Sequence, residues 1–310
     1  MAPTFLSDRR LYVEYEYWKR NFSWSPGQIE AGNIIYHCYW KGSLSVHHDL
    51  CLKSLLITQS TPRRVWVWLP PNDLAHNREF IRSFAGVPDV EFKSYVPEYE
   101  MKDTPYEGHL RFVKTGGHSR FLWPTRPADI ANAFRLLVLW KYGGVYFDMD
   151  VLFLKDLRPL CSVEFLYQWS NQEYCNNALL HFLKESHNVR SLMERSLDIG
   201  SCRSMHLLRF ADLATMNGVH ILPVFLFDPT WVCHDTGVQI HEHCEKFGDF
   251  FTKEGPVRME TFFPASYTYH WHGRRWHVAI RPDTIAGRLY AEINARFSAV
   301  FPSASGQVAS

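Results

Sequence analysis

The sequence lacks the long apolar runs that membrane proteins need. No segment approaches the roughly 20 apolar residues of a membrane-spanning helix, and the N-terminal stretch MAPTFLSDRRLYVEYEYWKR is charged where a signal peptide would be apolar. The seven cysteines are scattered and include no CxxC pair, a pattern that disfavours a disulfide framework. We therefore expect a soluble, cytoplasmic protein, or one of the Golgi lumen if an N-terminal anchor has been removed.

An excess of charge of either sign is also missing. Lys plus Arg number 33 against 32 for Asp plus Glu, so no overall basic field is available to hold nucleic acid or an anionic membrane. Neither is an expected partner. Of the 310 residues, 46% are hydrophobic and 15% are aromatic, which is ample for a substantial globular core.

The chain shows neither an internal repeat nor a low-complexity linker, so one large domain is the simplest division. Residues 33–40, 64–69 and 90–96 have the pattern of strands, and polar, helix-compatible segments separate them. This alternation implies parallel crossovers. We predict an α/β fold with a mostly parallel central sheet over residues 31–300, an N-terminal helical extension over 1–30 and a disordered tail over 301–310.

A buried helix is predicted between Pro127 and the glycine pair Gly143-Gly144. Pro127 suits the first turn of a helix. Apolar residues follow at helical spacing at Ile130, Ala133, Phe134, Leu137 and Val138. Much of the remaining helix surface is apolar too, so the polar residues Asn132 and Arg135 must find partners inside the protein. They are three positions apart and hence share one face.

A strand is predicted directly after the glycines, from Val145 to Val151. Its alternation places Tyr146, Asp148 and Asp150 on one face. Two carboxylates on one face of a buried strand repel each other unless a cation lies between them or one is protonated, and a hard divalent ion with oxygen ligands is the usual solution. A diphosphate is the natural second partner of such an ion.

An Asp-x-Asp pair alone is weak support, because it occurs often by chance on solvated turns. Here the whole string NAFRLLVLWKYGGVYFDMD resembles the DXD region of glycosyltransferase family 32 and its relatives, which include yeast-type mannosyltransferases, Golgi α-1,4-galactosyltransferases and clostridial glucosylating toxins. The matching positions are Arg135, Gly143, Gly144, Tyr146, Asp148 and Asp150. Asn132 departs from the pattern, since the family usually has Asp there.

The resemblance implies a GT-A type, Rossmann-like fold that binds a nucleotide-sugar, and it makes Arg135, Asp148 and Asp150 the expected catalytic residues. Arg135 and Asn132 would bind the donor sugar hydroxyls and the phosphate side, with Tyr146 also at the donor. Asp148 would contact the sugar and ribose or the metal, and Asp150 would bind the metal, Mn²⁺ or Mg²⁺, directly.

Three weaker similarities lie outside this string. Trp40, at the end of IIYHCYWKG, would stack on the donor base, although core packing is the alternative. Asn177 resembles an asparagine near the sugar and acceptor, because amides can read sugar hydroxyls. In YHWHGRRW, His270 first and His272 second would complete the metal shell or contact the diphosphate, with a hydrogen-bonded structural histidine as the alternative.

The expected function is a metal-dependent, retaining glycosyltransferase that moves a sugar from a nucleotide-sugar donor to a glycan or other acceptor, with UDP-sugars as the favoured donors and GDP-sugars as the alternative. A haloacid-dehalogenase-like phosphatase with a nucleophilic Asp in FDMDVL is one alternative. A non-catalytic protein that binds a sugar nucleotide or glycan is another. A third, a zinc module, would use residues of the cluster Cys233, His234, His241, His243 and Cys244.

Overall fold

A computed structural model describes residues 32–109, 127–242, 245–273 and 277–302. The helical extension expected over residues 1–30 and most of the expected tail lie outside these ranges. The strands of the described residues are β1 (Ile34–Tyr39), β2 (Arg63–Leu69), β3 (Val90–Ser94), β4 (Gly144–Phe147), β5 (Val151–Phe153), β6 (Glu164–Gln168), β7 (Cys175–Phe182), β8 (Val219–Leu222) and β9 (Thr268–His270).

Seven of these strands form one central sheet in the order β3-β2-β1-β4-β7-β6-β8, and β5 pairs with β9 in a separate small sheet. Strands β3, β2, β1 and β4 run parallel, as do β6 and β8, whereas β7 is antiparallel to both of its neighbours. The predicted α/β fold class with a mostly parallel sheet is confirmed. The three strands predicted at 33–40, 64–69 and 90–96 are also confirmed, as β1, β2 and β3.

Helices cover both faces of the sheet. They are α1 (Val46–Thr58), α2 (Pro71–His76), α3 (Arg78–Arg82), α4 (Pro97–Glu100), α5 (Pro127–Tyr142), α6 (His187–Ile199), α7 (Ser204–Leu207), α8 (Phe210–Leu213), α9 (Thr230–Thr236), α10 (Asp249–Thr252) and α11 (Ile285–Val300). One core layer joins the sheet to α1, α11 and the small sheet, and a second joins it to α5 and α6. The two layers leave the ends of the strands accessible for a binding site.

Helix α5 follows its predicted bounds, and the glycine pair ends it through backbone conformations that favour glycine. Gly143 and Gly144 have φ angles of +68° and +100°, and the Gly143 N–H donates to the carbonyl of Leu139 at 2.9 Å. A Cβ on Gly144 would lie 2.1 Å from the carbonyl oxygen of Ile35 in β1. The turn therefore brings β4 directly against β1, which fixes where the following acidic segment begins.

His37 ties this turn to the middle of the sheet. Its ring is fully buried, with Nε2 3.0 Å from the carbonyl oxygen of Gly143 and Nδ1 3.3 Å from the indole nitrogen of Trp68. These partners assign the neutral tautomer with the proton on Nε2. Burial lowers the pKa of His37 to about 3, so the ring stays uncharged at neutral pH.

The prediction of one continuous strand from Val145 to Val151 is wrong. Strand β4 ends at Phe147, and the chain turns through residues 148–150 before β5 begins. The backbone changes neighbours there: the Asp148 N–H donates to Ala178 of β7 at 2.7 Å, whereas the Asp150 carbonyl accepts from Trp271, just after β9, at 3.1 Å. The backbone of Asp148 is thus hydrogen-bonded to the central sheet and that of Asp150 next to the small sheet. The chain turns through residues 148–150 to pass from one sheet to the other.

The expected absence of a membrane-spanning helix and of a disulfide framework can be compared with the described residues. No helix in the described ranges is both long enough and apolar enough to cross a membrane. The cysteines within those ranges are all free thiols. A cytoplasmic location stays a prediction.

Replacing Gly144 with alanine should destabilise the fold severely. The new Cβ would approach the Ile35 carbonyl oxygen to 2.1 Å, at a φ of +100° that alanine rarely adopts. Overpacking and backbone strain together should lower the free energy of unfolding by roughly 3 kcal/mol or more. Urea denaturation followed by circular dichroism measures this loss.

Gly218→Ala is the matched control for that substitution. Gly218 has a similar φ of +75°, but no atom lies within 4 Å of the added Cβ. The control should therefore lose only the backbone contribution, about 1–2 kcal/mol. Equal losses in the two variants would show that the close approach of the turn to β1 does not limit stability.

Candidate functional site

A cavity of about 320 Å³ opens beside the carboxyl ends of β1 and β4. In open α/β sheets this is the edge at which ligands bind. The side chains around it come from the end of β1, from α5, from the turn after β4 and from β7, and they are Tyr39, Trp40, Lys41, Pro127, Ala128, Ala131, Asn132, Arg135, Asp148, Met149, Asp150 and Asn177. The fold thus brings together six of the residues predicted from the sequence.

Arg135 is the central polar residue of this cavity. Its side chain is only 4% exposed, and its guanidinium lies 4.6 Å over the ring of Tyr146. Nε donates to the Ala131 carbonyl at 3.1 Å, and one terminal nitrogen donates to the Asn177 carbonyl. The other donates to Asp148 Oδ1 at 3.2 Å. The buried cation is therefore paired and hydrogen-bonded from three sides, as its burial requires.

Asp148 is held by two donors on the same oxygen. Besides Arg135, the Tyr146 hydroxyl donates to Asp148 Oδ1 at 2.9 Å. Burial raises the pKa of Asp148, and the charge of Arg135 offsets only part of that effect, while nearby Asp150 raises the pKa further. Tyr146 itself is fully buried beneath the cavity. It supports the carboxylate from below and does not line the cavity.

Asn132 and Asn177 form an amide pair across the cavity. Asn177 Nδ2 donates to Asn132 Oδ1 at 2.9 Å, which joins the α5 face to the start of β7. An aspartate at position 132 would accept the same bond but add a third carboxylate near Asp148 and Asp150. The substitution of Asn for the acidic residue of the family pattern therefore keeps the hydrogen bond and reduces the negative charge of the site.

Trp40 lines the cavity directly after β1. Its indole nitrogen donates to the Ser43 carbonyl at 3.1 Å, and its ring meets the edge of His48 at a centroid separation of 4.2 Å. These contacts fix the indole while part of it lines the cavity. Lys41, which was not predicted as a site residue, adds a positive side chain to the cavity next to Trp40.

Asp150 belongs to a cluster of two histidines and two aspartates. His270 Nε2 lies 3.2 Å from Asp150 Oδ2, and His270 Nδ1 lies 3.5 Å from Asp228 Oδ2. His272 Nε2 is 2.8 Å from that same Asp228 oxygen. The two imidazole rings stack with centroids 3.9 Å apart. Both predicted histidines thus contact Asp228, and His270 also contacts Asp150 of the acidic motif.

The charges of this cluster depend on each other. Burial raises the pKa of Asp150, but His270, His272 and the Gly273 N–H outweigh it and lower that pKa to about 2. Burial lowers the pKa of His270, yet Asp150 and Asp228 together raise it well above its ordinary value. Burial likewise raises the pKa of Asp228, and the two histidines reverse the shift. Positive charge is therefore favoured between the two aspartates.

The sequence patterns did not identify Asp228 as a site residue. It is completely buried, after the short helical turn Val224–Leu226, where it interrupts the apolar run VFLFDPTWV. A single acidic residue inside such a run has to be paired. That signal was available, but the sequence alone did not say that its partners would be His270 and His272.

The donor set of this cluster fits a divalent cation. Asp228, His270 and His272 each offer a ligand atom, and these atoms lie within 4.8 Å of one another. Asp228 Oδ1 is buried without a hydrogen-bond partner among the described residues. Carboxylate oxygen and imidazole nitrogen suit zinc, manganese and similar ions.

The alternative zinc cluster is not assembled by the described residues. His243 and Cys244 lie outside the described ranges, as do Arg274, Arg275 and Trp276 of the late motif. Within those ranges, Cys233, His234 and His241 belong to no group of three potential metal ligands.

Comparison with known proteins agrees with this geometry. Residues 89–174 match the family described as "Glycosyltransferase sugar-binding region containing DXD motif". This segment of the chain is similar to the DXD region of glycosyltransferases. The match includes α5, the glycine turn and both Asp148 and Asp150, so the resemblance stated from the sequence is confirmed.

The curated relatives are glycosyltransferases too. A lactosylceramide 4-alpha-galactosyltransferase of Gorilla gorilla gorilla is 24% identical over 214 residues, which are 63% of this chain and 58% of that protein. An alpha-1,4-N-acetylglucosaminyltransferase of Homo sapiens is 32% identical over 68 residues, which are 22% of this chain and 19% of that protein. The aligned part of the chain thus spans less than two thirds of either relative.

Solved glycosyltransferases align with most of the chain at low similarity. The galactosyltransferase LgtC in complex with donor and acceptor sugar analogues is 17% identical, with a TM-score of 0.46, and the alignment covers 84% of this chain and 95% of LgtC. The glycosyltransferase GlyE of Streptococcus pneumoniae is 12% identical with a TM-score of 0.48, over 87% of this chain and 62% of GlyE.

Removing the positive partner of Asp148 should destabilise the protein. In Arg135→Gln the carboxylate loses its counter-charge in a partly buried position, and we expect a loss of roughly 2–3 kcal/mol in the free energy of unfolding. Adding Asp148→Asn to this variant should restore about 1 kcal/mol, because the neutral amide needs no counter-charge. Urea denaturation of the four proteins of this cycle measures both effects.

Arg190→Gln provides the control for that cycle. Arg190 pairs with Glu194 on the surface, where the two side chains are 58% and 53% exposed. The control should change stability by less than about 0.5 kcal/mol. If Asp148→Asn instead increased the loss of stability caused by Arg135→Gln, the unpaired charge of Asp148 would not be the cause of that loss.

Proposed function

We propose that this chain is a metal-dependent glycosyltransferase that moves a sugar from a nucleoside diphosphate to a carbohydrate acceptor. UDP-sugars are the favoured donors, with GDP-sugars as the alternative. The supporting observation is that Asp148 and Asp150 line one cavity. Asp148 is paired with Arg135, and Asp150 is paired with His270. Both aspartates lie in the segment that matches glycosyltransferases.

The elements that line the cavity offer different chemistry. After β1, Trp40 and Lys41 supply an aromatic surface and a positive charge, which suit a base and a phosphate. From α5 and β7, Arg135, Asn132 and Asn177 supply a cation and two amides, which suit sugar hydroxyls. A volume of about 320 Å³ lies within the range of ligand pockets. We therefore place the nucleoside near Trp40 and the sugar near Asn132.

Mn²⁺ or Mg²⁺ is the proposed ion, held by Asp150, which lines the cavity, and by the adjoining His270. His270 Nε2 and Asp150 Oδ2 are 3.2 Å apart, and the positive charge favoured between Asp150 and Asp228 is the charge that a cation would supply. Asp148 contributes as a second carboxylate or contacts the donor sugar directly. The bound ion would stabilise negative charge on the departing diphosphate.

Asp228 is proposed to orient His270 from behind. The His270 Nδ1 side faces the buried Asp228 oxygen at 3.5 Å, while Nε2 faces Asp150. A carboxylate that accepts from the far nitrogen of a ligating histidine fixes the tautomer and the ring orientation. Asp228 and Asp150 contact different nitrogens of the His270 ring, and we therefore assign Asp228, on the Nδ1 side, a positioning role.

The remaining residues bind and orient the donor. Arg135 and Lys41 supply positive charge for the diphosphate leaving group, and the fixed amides of Asn132 and Asn177 position the sugar. The bond between the anomeric carbon and the diphosphate oxygen breaks, the acceptor oxygen forms the new bond to the anomeric carbon, and the acceptor's hydroxyl proton passes to the departing nucleoside diphosphate. Retention of the anomeric configuration is proposed because both curated relatives are named for alpha linkages.

The phosphatase alternative fits the geometry less well. Asp148 Oδ1 already accepts from both Arg135 and Tyr146, and this pairing disfavours nucleophilic attack by that oxygen. A non-catalytic protein would keep the same donor cavity, so a measurement of donor cleavage has to separate it from the transferase.

Donor cleavage tests the proposal. The protein is incubated with UDP- and GDP-linked sugars in the presence of Mn²⁺ or of EDTA, and release of the nucleoside diphosphate is measured. We expect metal-dependent release from one donor, reduced at least about 100-fold in Asp150→Ala because a ligand and a charge are lost.

Asp198→Asn is the control, because Asp198 is an exposed acidic residue on α6 away from the cavity. It should release nucleoside diphosphate at the wild-type rate. Donor binding without cleavage in any mixture would favour the non-catalytic alternative, and the absence of binding to every donor would contradict the proposal.

The role of Asp228 is tested by metal binding and not by turnover. Asp228→Asn removes the charge that orients His270, and we expect the affinity for Mn²⁺ in the presence of UDP to fall about 10–100-fold in calorimetry. Asp49→Asn is the control, since Asp49 is also a mostly buried carboxylate. It pairs with Lys53 and accepts from the Tyr290 hydroxyl. Unchanged affinity in a folded Asp228→Asn protein would remove the positioning role.

A further inference from the structure

A second cavity, of about 430 Å³, lies between the β6–β7 turn and helix α9. We call it the Trp169 cavity. Its lining consists of aromatic and hydrogen-bonding side chains, with no aliphatic residue, and the residues are Trp169, Ser170, Asn171, Gln172, Tyr174, Trp231, His234 and Asp235. This composition separates it from the apolar grooves that bind helices or lipid chains.

Three aromatic rings give the cavity its hydrophobic surface. Trp169 and Tyr174 stand at the two ends of a tight turn, in which the Trp169 N–H donates to the Tyr174 carbonyl at 3.1 Å, and their rings meet edge to face at 5.7 Å. Trp231 comes from α9, and its indole nitrogen is buried without a hydrogen-bond partner in the described structure. All three aromatic residues are only partly buried.

The polar side chains of the cavity are held in place. Asp235 accepts from the Ser170 hydroxyl on one oxygen, and its other oxygen lies 3.1 Å from His234 Nδ1. Ser170 has a φ of +51°, so the turn is bent to bring its hydroxyl to Asp235. Gln172 and Asn171 are joined at 3.0 Å on the exposed rim. Fixed carboxylate and amide groups beside aromatic faces match the alternating hydroxyls and C–H faces of a sugar ring.

The Trp169 cavity adjoins the donor site by two routes. Trp231 contacts His272 of the metal-binding cluster, with ring centroids 5.7 Å apart. Tyr174 directly precedes β7, in which Asn177 reaches the donor cavity three residues later, a span of about 10 Å along a strand. A saccharide of two or three rings could thus occupy both places at once.

We propose that the Trp169 cavity binds a sugar ring of the acceptor, so that the acceptor is a glycan of at least two residues. This inference rests on the proposed transferase function. The ring that receives the new bond lies beside the donor sugar, and the next ring of the acceptor stacks on Trp169 or Trp231. The side chains of the turn at residues 169–174 would then decide which glycan is accepted.

The test measures saccharide binding separately from donor chemistry. Protein loaded with UDP and Mn²⁺ is titrated with methyl glycosides of mono- and disaccharides built from glucose, galactose, mannose and N-acetylglucosamine. Binding is followed by saturation-transfer NMR and calorimetry. We expect at least one disaccharide to bind more tightly than its monosaccharides, and Trp169→Ala to weaken that binding at least 10-fold.

Three further variants make the result specific. Trp169→Phe keeps an aromatic face and should retain most of the affinity, and Gln172→Ala tests the exposed rim without disturbing the core. Tyr99→Ala, which removes an aromatic side chain that is 75% exposed elsewhere, should bind as wild type does. UDP affinity should be unchanged in all of these variants.

The outcomes separate the two proposals. If UDP and Mn²⁺ bind but no saccharide does, or if Trp169→Ala and Gln172→Ala both bind the disaccharide like wild type, the acceptor proposal is overturned and the transferase proposal stands. Failure of every nucleotide to bind the wild-type protein would instead overturn the proposed function. Loss of disaccharide binding in Trp169→Ala, with UDP binding intact, supports both.

Discussion

The pairing of Arg135 with Asp148 is the constraint on which the site depends. A guanidinium cannot be buried beneath a sheet unless acceptors surround it, and Arg135 takes its acceptors from α5, from the turn after β4 and from β7. These elements are separated along the chain, so the helix, the acidic turn and the asparagine-bearing strand must reach their final positions together. Tyr146 completes the arrangement by supporting both charges from below.

The local part of this site was predictable from the sequence. Helix α5, the glycine turn and the position of the acidic pair follow from short-range patterns, namely apolar spacing, a helix-starting proline and two glycines. The expectation that Asn132 and Arg135 need internal partners was also confirmed, because it required only that the helix be buried. The partners of Arg135 across the chain lie 13 and 42 positions away, and the sequence did not identify either of them.

The rest depended on contacts that short patterns do not encode. Asp228 meets His270 and His272 across more than 40 residues, and nothing in the local sequence of either segment indicates the other. The break at residues 148–150 was missed for a related reason. Alternation predicts a strand wherever side chains alternate, but it does not say that the backbone will exchange β7 for β9 as its neighbour. The Trp169 cavity likewise joins a turn and a helix that are distant in sequence.

That exchange of neighbours has a mechanical consequence. Asp148 is anchored to the large sheet, whereas Asp150 is anchored to the small one, and α1 packs against the small sheet through Ser54, whose hydroxyl accepts from the Phe153 N–H at 3.0 Å. The gap between the two carboxylates therefore depends on how the sheets pack against each other as well as on the three-residue motif. In the proposed ion site, substitutions in the packing between the sheets would shift the preference between smaller and larger cations, without any change in the ligands themselves.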